Sequence, residues 1–161
     1  MTVQVMEKPA VCHSEEQALA QLETIQLWHE VSDWASREGE PKELPISHRK
    51  WLMDEMDWGY DPDHDAVVDA IRDLVTEDPL SVQVRSDWHN LGDTPEAAEF
   101  NILLCTGGPA VRIYGDLHDE QVSSCWLQHQ DWGTPWTDVH LTTSQRDALQ
   151  WYCEQFCWED C

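Results

Sequence analysis

Positive charge is what this chain has least of: nine Lys plus Arg stand against 32 Asp plus Glu in 161 residues, a formal net charge of -23. A surface that acidic repels nucleic acid and anionic membranes, so direct binding to either is excluded as an expectation. Long apolar runs are missing too, none approaching the ~20 residues that cross a bilayer. The opening residues, MTVQVMEKPAVCHSEE, have neither a basic nor an apolar leader region, and the expectation is a soluble, unexported, cytoplasmic protein. There is no internal repeat and no low-complexity linker. Catalytic signatures are absent as well: no His-Glu-x-x-His, no Gly-x-Ser-x-Gly, and eight scattered histidines (His13, His29, His48, His64, His89, His118, His129, His140). Gly107-Gly108-Pro109 lacks the lysine and the helix of a phosphate loop, and His118 beside Asp119 and Glu120 reads as a polar turn rather than an acid-base pair. No enzymatic activity and no cofactor are expected.

What the chain has is core material. With 41% hydrophobic residues and ten tryptophans, one domain can bury a core of its own. The six cysteines (Cys12, Cys105, Cys125, Cys153, Cys157, Cys161) therefore need not be staples, and reduced thiols are expected. Cys153, Cys157 and Cys161 recur every four residues and would share a helix face if the last helix ran that far. Their spacing is not that of a zinc knuckle, and Tyr152 and Phe156 beside them point to burial, so they read as core thiols. Trp28, Trp51, Trp88, Trp126 and Trp151 fall within expected helices or strands and read as core or core rim. Trp58, Trp132 and Trp136 sit beside Gly or Pro in loops, where they either plug an open edge of the core or anchor a partner.

Residues 1–13 carry Pro9 and no periodicity, and read as a flexible lead to a single domain over 14–161. Ser14-Glu15-Glu16-Gln17 reads as a capping box opening a helix. Leu19, Leu22, Ile25, Trp28 or His29, and Val31 follow at helical spacing, up to the break before Arg37-Glu38-Gly39-Glu40-Pro41. Ser47 is placed to cap a second helix, His48 to Met56, with Trp51, Leu52 and Met56 on its apolar side. Asp61 or Asp63 opens a third, whose buried stripe is Val67, Ala70, Ile71 and Leu74. This acidic helical part spans 14–78. Strands are expected from Leu80 to Trp88, Ala97 to Thr106, Val111 to Leu117 and Val122 to His129, with reversals at Gly107-Gly108-Pro109 and at His118-Asp119-Glu120. In the first of them Leu80, Val82, Val84 and Trp88 alternate with Ser81, Gln83, Arg85 and Asp87. Short connections make this an antiparallel meander within 80–136, closed by the rigid loop Asp131 to Trp136. Thr142 and Gln145 form a capping box for a last helix over 142–157, with Leu149, Tyr152, Cys153 and Phe156 turned inward. The expected class is α+β: a four-stranded antiparallel meander with N-terminal helices and one C-terminal helix packed on the sheet.

The densest anionic run holds Asp54, Glu55, Asp57, Asp61, Asp63, Asp65, Asp69 and Asp73. Asp65, Asp69 and Asp73, four apart, share one face of the third helix, where like charges repel by a few tenths of a kcal/mol per pair, roughly. Stability does not account for them. Asp61-x-Asp63-x-Asp65 is like the opening of a calcium loop, but its sixth position is Ala66 and its twelfth Arg72, so a solvated acidic helix start is the better reading and no metal is expected. The candidate partner-binding residues are Asp54, Glu55, Asp57, Trp58, Asp61, Asp63, Asp65, Asp69, Asp73, Trp132 and Trp136.

An acidic surface attracts basic ones, and large basic surfaces in cells are commonly built to hold nucleic acid. A domain of this length is on the order of 40 Å across, over which duplex DNA carries roughly 23 phosphates. The charge densities are comparable. The stretch LLCTGGPAVRIYGDL, followed by WLQHQDWGTPWT, resembles a group of small acidic accessory proteins of bacterial phages and plasmids, over roughly residues 100–160. No catalytic motif comes with that group. The resemblance implies a setting in a bacterial host cell, where mobile elements use small acidic proteins to disarm defence, as in anti-restriction and anti-CRISPR proteins. The expected function is a non-catalytic inhibitor whose DNA-mimicking surface fills the basic channel of a nucleic-acid-binding protein such as a CRISPR effector complex. The alternatives are a metal-binding protein or small enzyme using Cys, His or clustered Asp, and an acidic adaptor for another basic protein.

Overall fold

Helical spacing puts Ala18, Leu22, Ile25, Trp28 and Val31 on one side of α1 (His13–Ser36), and all five are buried. Enclosing Leu22, Ile25 or Val31 stabilises by about 1.5–3 kcal/mol each relative to exposure. The structure is a computed structural model that describes residues 12–59 and 62–159. After α1 come a 3₁₀ turn (Pro41–Glu43), α2 (Ile46–Glu55) and α3 (His64–Glu77). The strands are β1 (Ser81–Ser86), β2 (Ala97–Cys105), β3 (Ala110–His118), β4 (Gln121–Gln130) and β5 (Thr137–Asp138), before α4 (Thr143–Glu154). The expected α+β class holds. The sheet runs β1-β2-β3-β4-β5, antiparallel throughout. It has five strands rather than four, because β5 pairs Thr137 and Asp138 with His129 and Gln128. Two residues are too few for an alternation to show.

α1 packs on β3 and β4, and both α3 and α4 pack on α1. The sheet's helix-facing row is Phe100, Ile102 and Leu104 from β2, Val111, Ile113 and Leu117 from β3, and Leu127 from β4, all buried. The opposite face carries Asn101, Arg112, Tyr114, Trp126 and Gln128, none of them buried. Phe100 stands opposite Gly115, where a Cβ would meet its ring at 2.3 Å and the Ser124 carbonyl at 2.4 Å, so only glycine lets that ring cross β3. The β3–β4 reversal is the two-residue turn Asp119-Glu120, both left-handed at φ 50° and 62°, as the right-handed twist of a tight hairpin requires. No helix among the described residues is long and apolar enough to cross a membrane.

Several expected details give way to tertiary partners. Ser14 does not cap α1: Cys12 holds the N-cap position, and the Ser14 hydroxyl is buried and committed to His129 and Asp131. Cys12 and His13 thus belong to the start of α1, and the rest of the expected lead, residues 1–11, lies outside the described residues. Ser47 does not cap α2, which begins at Ile46 behind Pro45; its hydroxyl lies 3.1 Å from His48 Nδ1. Trp88 is fully exposed instead of at the core rim, since β1 stops at Ser86. Val82 and Val84 do face the helix side, opposite Ile102 and Phe100, yet stay partly exposed because β1 is the edge strand and packs chiefly on β2. The core-thiol reading holds for Cys153 and fails for Cys157: α4 ends at Glu154, so Cys153 is buried while Cys157 lies exposed beyond the helix, with Cys161 outside the described residues.

α4 keeps its predicted capping box, Thr142 accepting from Gln145 N and Gln145 reaching back to Thr142 N at 2.9 Å. It ties to the end of α3 through Tyr152, whose hydroxyl donates to Asp78 Oδ2 at 2.7 Å. Burial raises the Asp78 carboxyl above the usual carboxylate range, and the Tyr152 bond pulls it back. Tyr152→Phe should cost about 1–2 kcal/mol at neutral pH, the low part of the charged hydrogen-bond range because Asp78 is only half enclosed. Without that donor the folded-state pKa of Asp78 rises further, so the loss is full above it and shrinks as pH falls through it. Denaturant titrations of both proteins at neutral pH and at about pH 4 check the size and the sign.

Candidate functional site

The acidic run divides by role once its backbone is in place. Asp63 is the N-cap of α3, its carboxylate accepting from Asp65 N at 3.0 Å and Ala66 N at 3.3 Å. That is a structural duty. Val67, Ile71 and Val75 form the buried stripe of α3, Val75 taking the place of the expected Ala70 and Leu74, which are only half-buried. Asp65, Asp69 and Asp73 are exposed, and Asp69 alone of the three has a basic partner, Arg72 at 3.1 Å. On α2, Asp54 and Glu55 are exposed in the last turn, Asp54 lying 4.0 Å from Lys50. Asp57 follows, exposed and left-handed at φ 50°. Asp61 lies outside the described residues. None of the four α-helices carries a basic residue in its last turn, where the helix dipole would favour one.

The three loop tryptophans separate as well. Trp58 is half-buried against the core, with its backbone N–H donating to Leu52 O at 3.3 Å. Trp136 is half-buried on the open sheet face, under the Arg112 guanidinium at 4.3 Å from its ring centre. Arg112 also lies 5.2 Å from the Tyr114 ring and donates from Nε to Gln128 Oε1 at 2.8 Å. Gln128 in turn donates to Asp138 at 2.8 Å, so this network helps to hold β5 and the loop before it. Burial pulls the Arg112 guanidinium below its usual value. On the same face Tyr114 and Arg85 donate to Glu99 and hold its carboxyl below the usual range. Trp132, 84% exposed at the tip of its loop, is the one of the three left free for an outside contact.

A second cluster was not anticipated. Cys12, Ser14 and Glu15 at the start of α1 meet His129 and Asp131 at the end of β4. Ser14 Oγ lies 2.8 Å from His129 Nδ1 and donates to Asp131 Oδ2 at 2.9 Å; Cys12 Sγ lies 3.8 Å from the same ring nitrogen. Ligand atoms of Cys12, Glu15 and His129 all fall within 4.8 Å of one another, so these three could hold a metal ion. Partners 115 residues apart leave no local pattern. The one hint is that His129 alternates onto the β4 face shared by Cys125 and Leu127, an unusual place for an imidazole.

No protein-family model, curated protein or solved structure matches the chain, and the site is read from its own geometry and charge.

The division of labour among the aspartates is measurable. Asp63→Ala should lower stability by about 1 kcal/mol through the lost cap. Asp73→Asn, one turn from Asp69 and near the C-terminal end of the dipole, should raise it by a few tenths of a kcal/mol, roughly, at low ionic strength. Salt near ~1 M should abolish that gain. Chemical denaturation in low and high salt reads both effects.

Proposed function

We propose that this protein is a non-catalytic inhibitor that binds the basic nucleic-acid channel of a host defence complex, a CRISPR effector or a restriction enzyme, with carboxylates of α2 and α3 at phosphate positions. The observation that carries the reading is a set of exposed carboxylates, most of which have no basic partner among the described residues. Asp54, Glu55 and Asp57 at the end of α2, and Asp65, Asp69 and Asp73 along α3, face solvent in a chain of net charge -23. At 1.5 Å rise per residue the α3 row presents one carboxylate per ~6 Å, against one phosphate per ~3.4 Å of axis along a DNA strand. α3 alone falls short of a strand, so the α2 carboxylates would have to supply the rest. Such a field speeds encounter with a basic surface more than it adds affinity. Trp132, exposed between Asp131 and Gly133, is the aromatic group available to lock the encounter. An adaptor for an unrelated basic partner would share the electrostatics but leave nuclease activity untouched.

The test is retention of a defence complex from bacterial lysate by the tagged protein at low and high salt, with duplex DNA as competitor. The expected result is retention that DNA competes away and that weakens steeply with salt. Asp65→Lys, Asp69→Lys and Asp73→Lys together should weaken binding to the purified target at least tenfold, roughly, and Trp132→Ala should chiefly raise the dissociation rate. Retention indifferent to the charge reversal would sink the mimicry, and a bound target whose nuclease runs at full rate would leave the adaptor.

A further inference from the structure

We propose that Cys12, Glu15 and His129 form a binding site for a zinc-class divalent cation that pins the first turn of α1 to the end of β4. The observation behind it is separate from the acidic helices. Only three polar side chains are buried among the described residues, Ser14, Ser32 and His129, and two of them meet here. Burying polar groups costs free energy that an apolar pair of similar volume would not incur. A buried Ser14–His129 pair with Cys12 and Glu15 at its solvent side therefore points to a use beyond packing.

The donor set and its spacing fit zinc. A thiol, an imidazole and a carboxylate are the ligands that zinc takes, and three protein donors leave a fourth tetrahedral position for water. Calcium and magnesium ask for an all-oxygen shell and are poor guests beside a thiol. Bond lengths of ~2.3 Å to sulfur and ~2.05 Å to nitrogen place the two donors about 3.6 Å apart in a tetrahedron; Cys12 Sγ and His129 Nδ1 are 3.8 Å apart. Glu15 follows Cys12 by three residues and so rises from the same side of the helix start. In the metal-free protein Ser14 holds that same Nδ1 and Asp131 holds Ser14, so the Ser14 contact to the ring is exchanged for the metal bond on binding.

Proton positions follow from the same contacts. Ser14 has one hydroxyl proton and gives it to Asp131, so the proton between Ser14 and His129 belongs to Nδ1 in the metal-free protein. On binding, the ring proton moves to Nε2, the Nδ1 lone pair goes to the metal, and the Cys12 thiol releases its proton to solvent as the metal–sulfur bond forms. Ser14 keeps its bond to Asp131. The positive end of the α1 dipole opposes a cation, but two of the three ligands are anionic when bound, and Glu16 and Asp131 stand close by.

The experiment is a titration of the full chain, purified without a polyhistidine tag or chelator, with Co2+ alone and then with Zn2+ as competitor. The expected result is one ion per chain, a sulfur-to-cobalt charge-transfer band in the near ultraviolet, visible bands of tetrahedral intensity, and loss of all of them to Zn2+. Cys12→Ser should remove the charge-transfer band, and Glu15→Gln should weaken binding by tenfold or more, roughly. Cys12 is exposed and Glu15 only partly buried, so these two variants keep their fold, which far-ultraviolet circular dichroism verifies. Cobalt bound without a sulfur band, as an acidic surface alone would bind it, overturns the proposal. So does a band that survives Cys12→Ser.

Discussion

α1 lies across β3 and β4, and the other large helices take their places from it, α3 and α4 each packing on α1. Its buried side chains, from Ala18 to Val31, supply one wall of the core and the helix-facing residues of β2, β3 and β4 supply the other. Because all the helices gather on one side, the sheet has a covered face and an open one. β1, at the far edge, is the least covered strand of the meander, and its valines stay partly exposed while their cross-strand partners Ile102 and Phe100 are fully enclosed. The open face is then free to carry the Arg112, Tyr114 and Trp136 stack, and the outer helix surfaces are free to carry charge.

How that charge is spent separates structure from function. Asp63 caps a helix, Asp78 receives Tyr152, and Glu99 is held by Tyr114 and Arg85, so each of these acids answers to a neighbour. Asp65 and Asp73 answer to none among the described residues, and Asp54 and Glu55 crowd the end of α2 that the dipole makes least welcoming. A fold selected for stability alone would place lysine or arginine there. Acids kept against local electrostatics are the physical basis for assigning them to a partner.

Legibility in the sequence followed the range of the deciding interaction. Thr142 and Gln145 signalled their capping box because both partners lie within one turn. Periodicity located the buried faces of α1 and α3 and the four longer strands, since each is a repeating local signal. Ser14 misled for the opposite reason: its residue pattern fits a cap, but a histidine and an aspartate more than a hundred residues away took its hydroxyl. β5 and the Arg112 contact with Trp136 depend on strand register, which no short window of residues carries. Trp88 looked like core because alternation was extended two residues past the true end of β1.

The cluster at the start of α1 bears on the whole fold because of the element it sits on. Its residues reach from the first turn of α1 to the end of β4, across the packing that positions α3 and α4 in turn. A ligand that binds this arrangement and not the unfolded chain adds its binding free energy to folding stability. The α2 and α3 carboxylates face solvent, while a cation at Cys12, Glu15 and His129 would tighten the helix on which α3 packs.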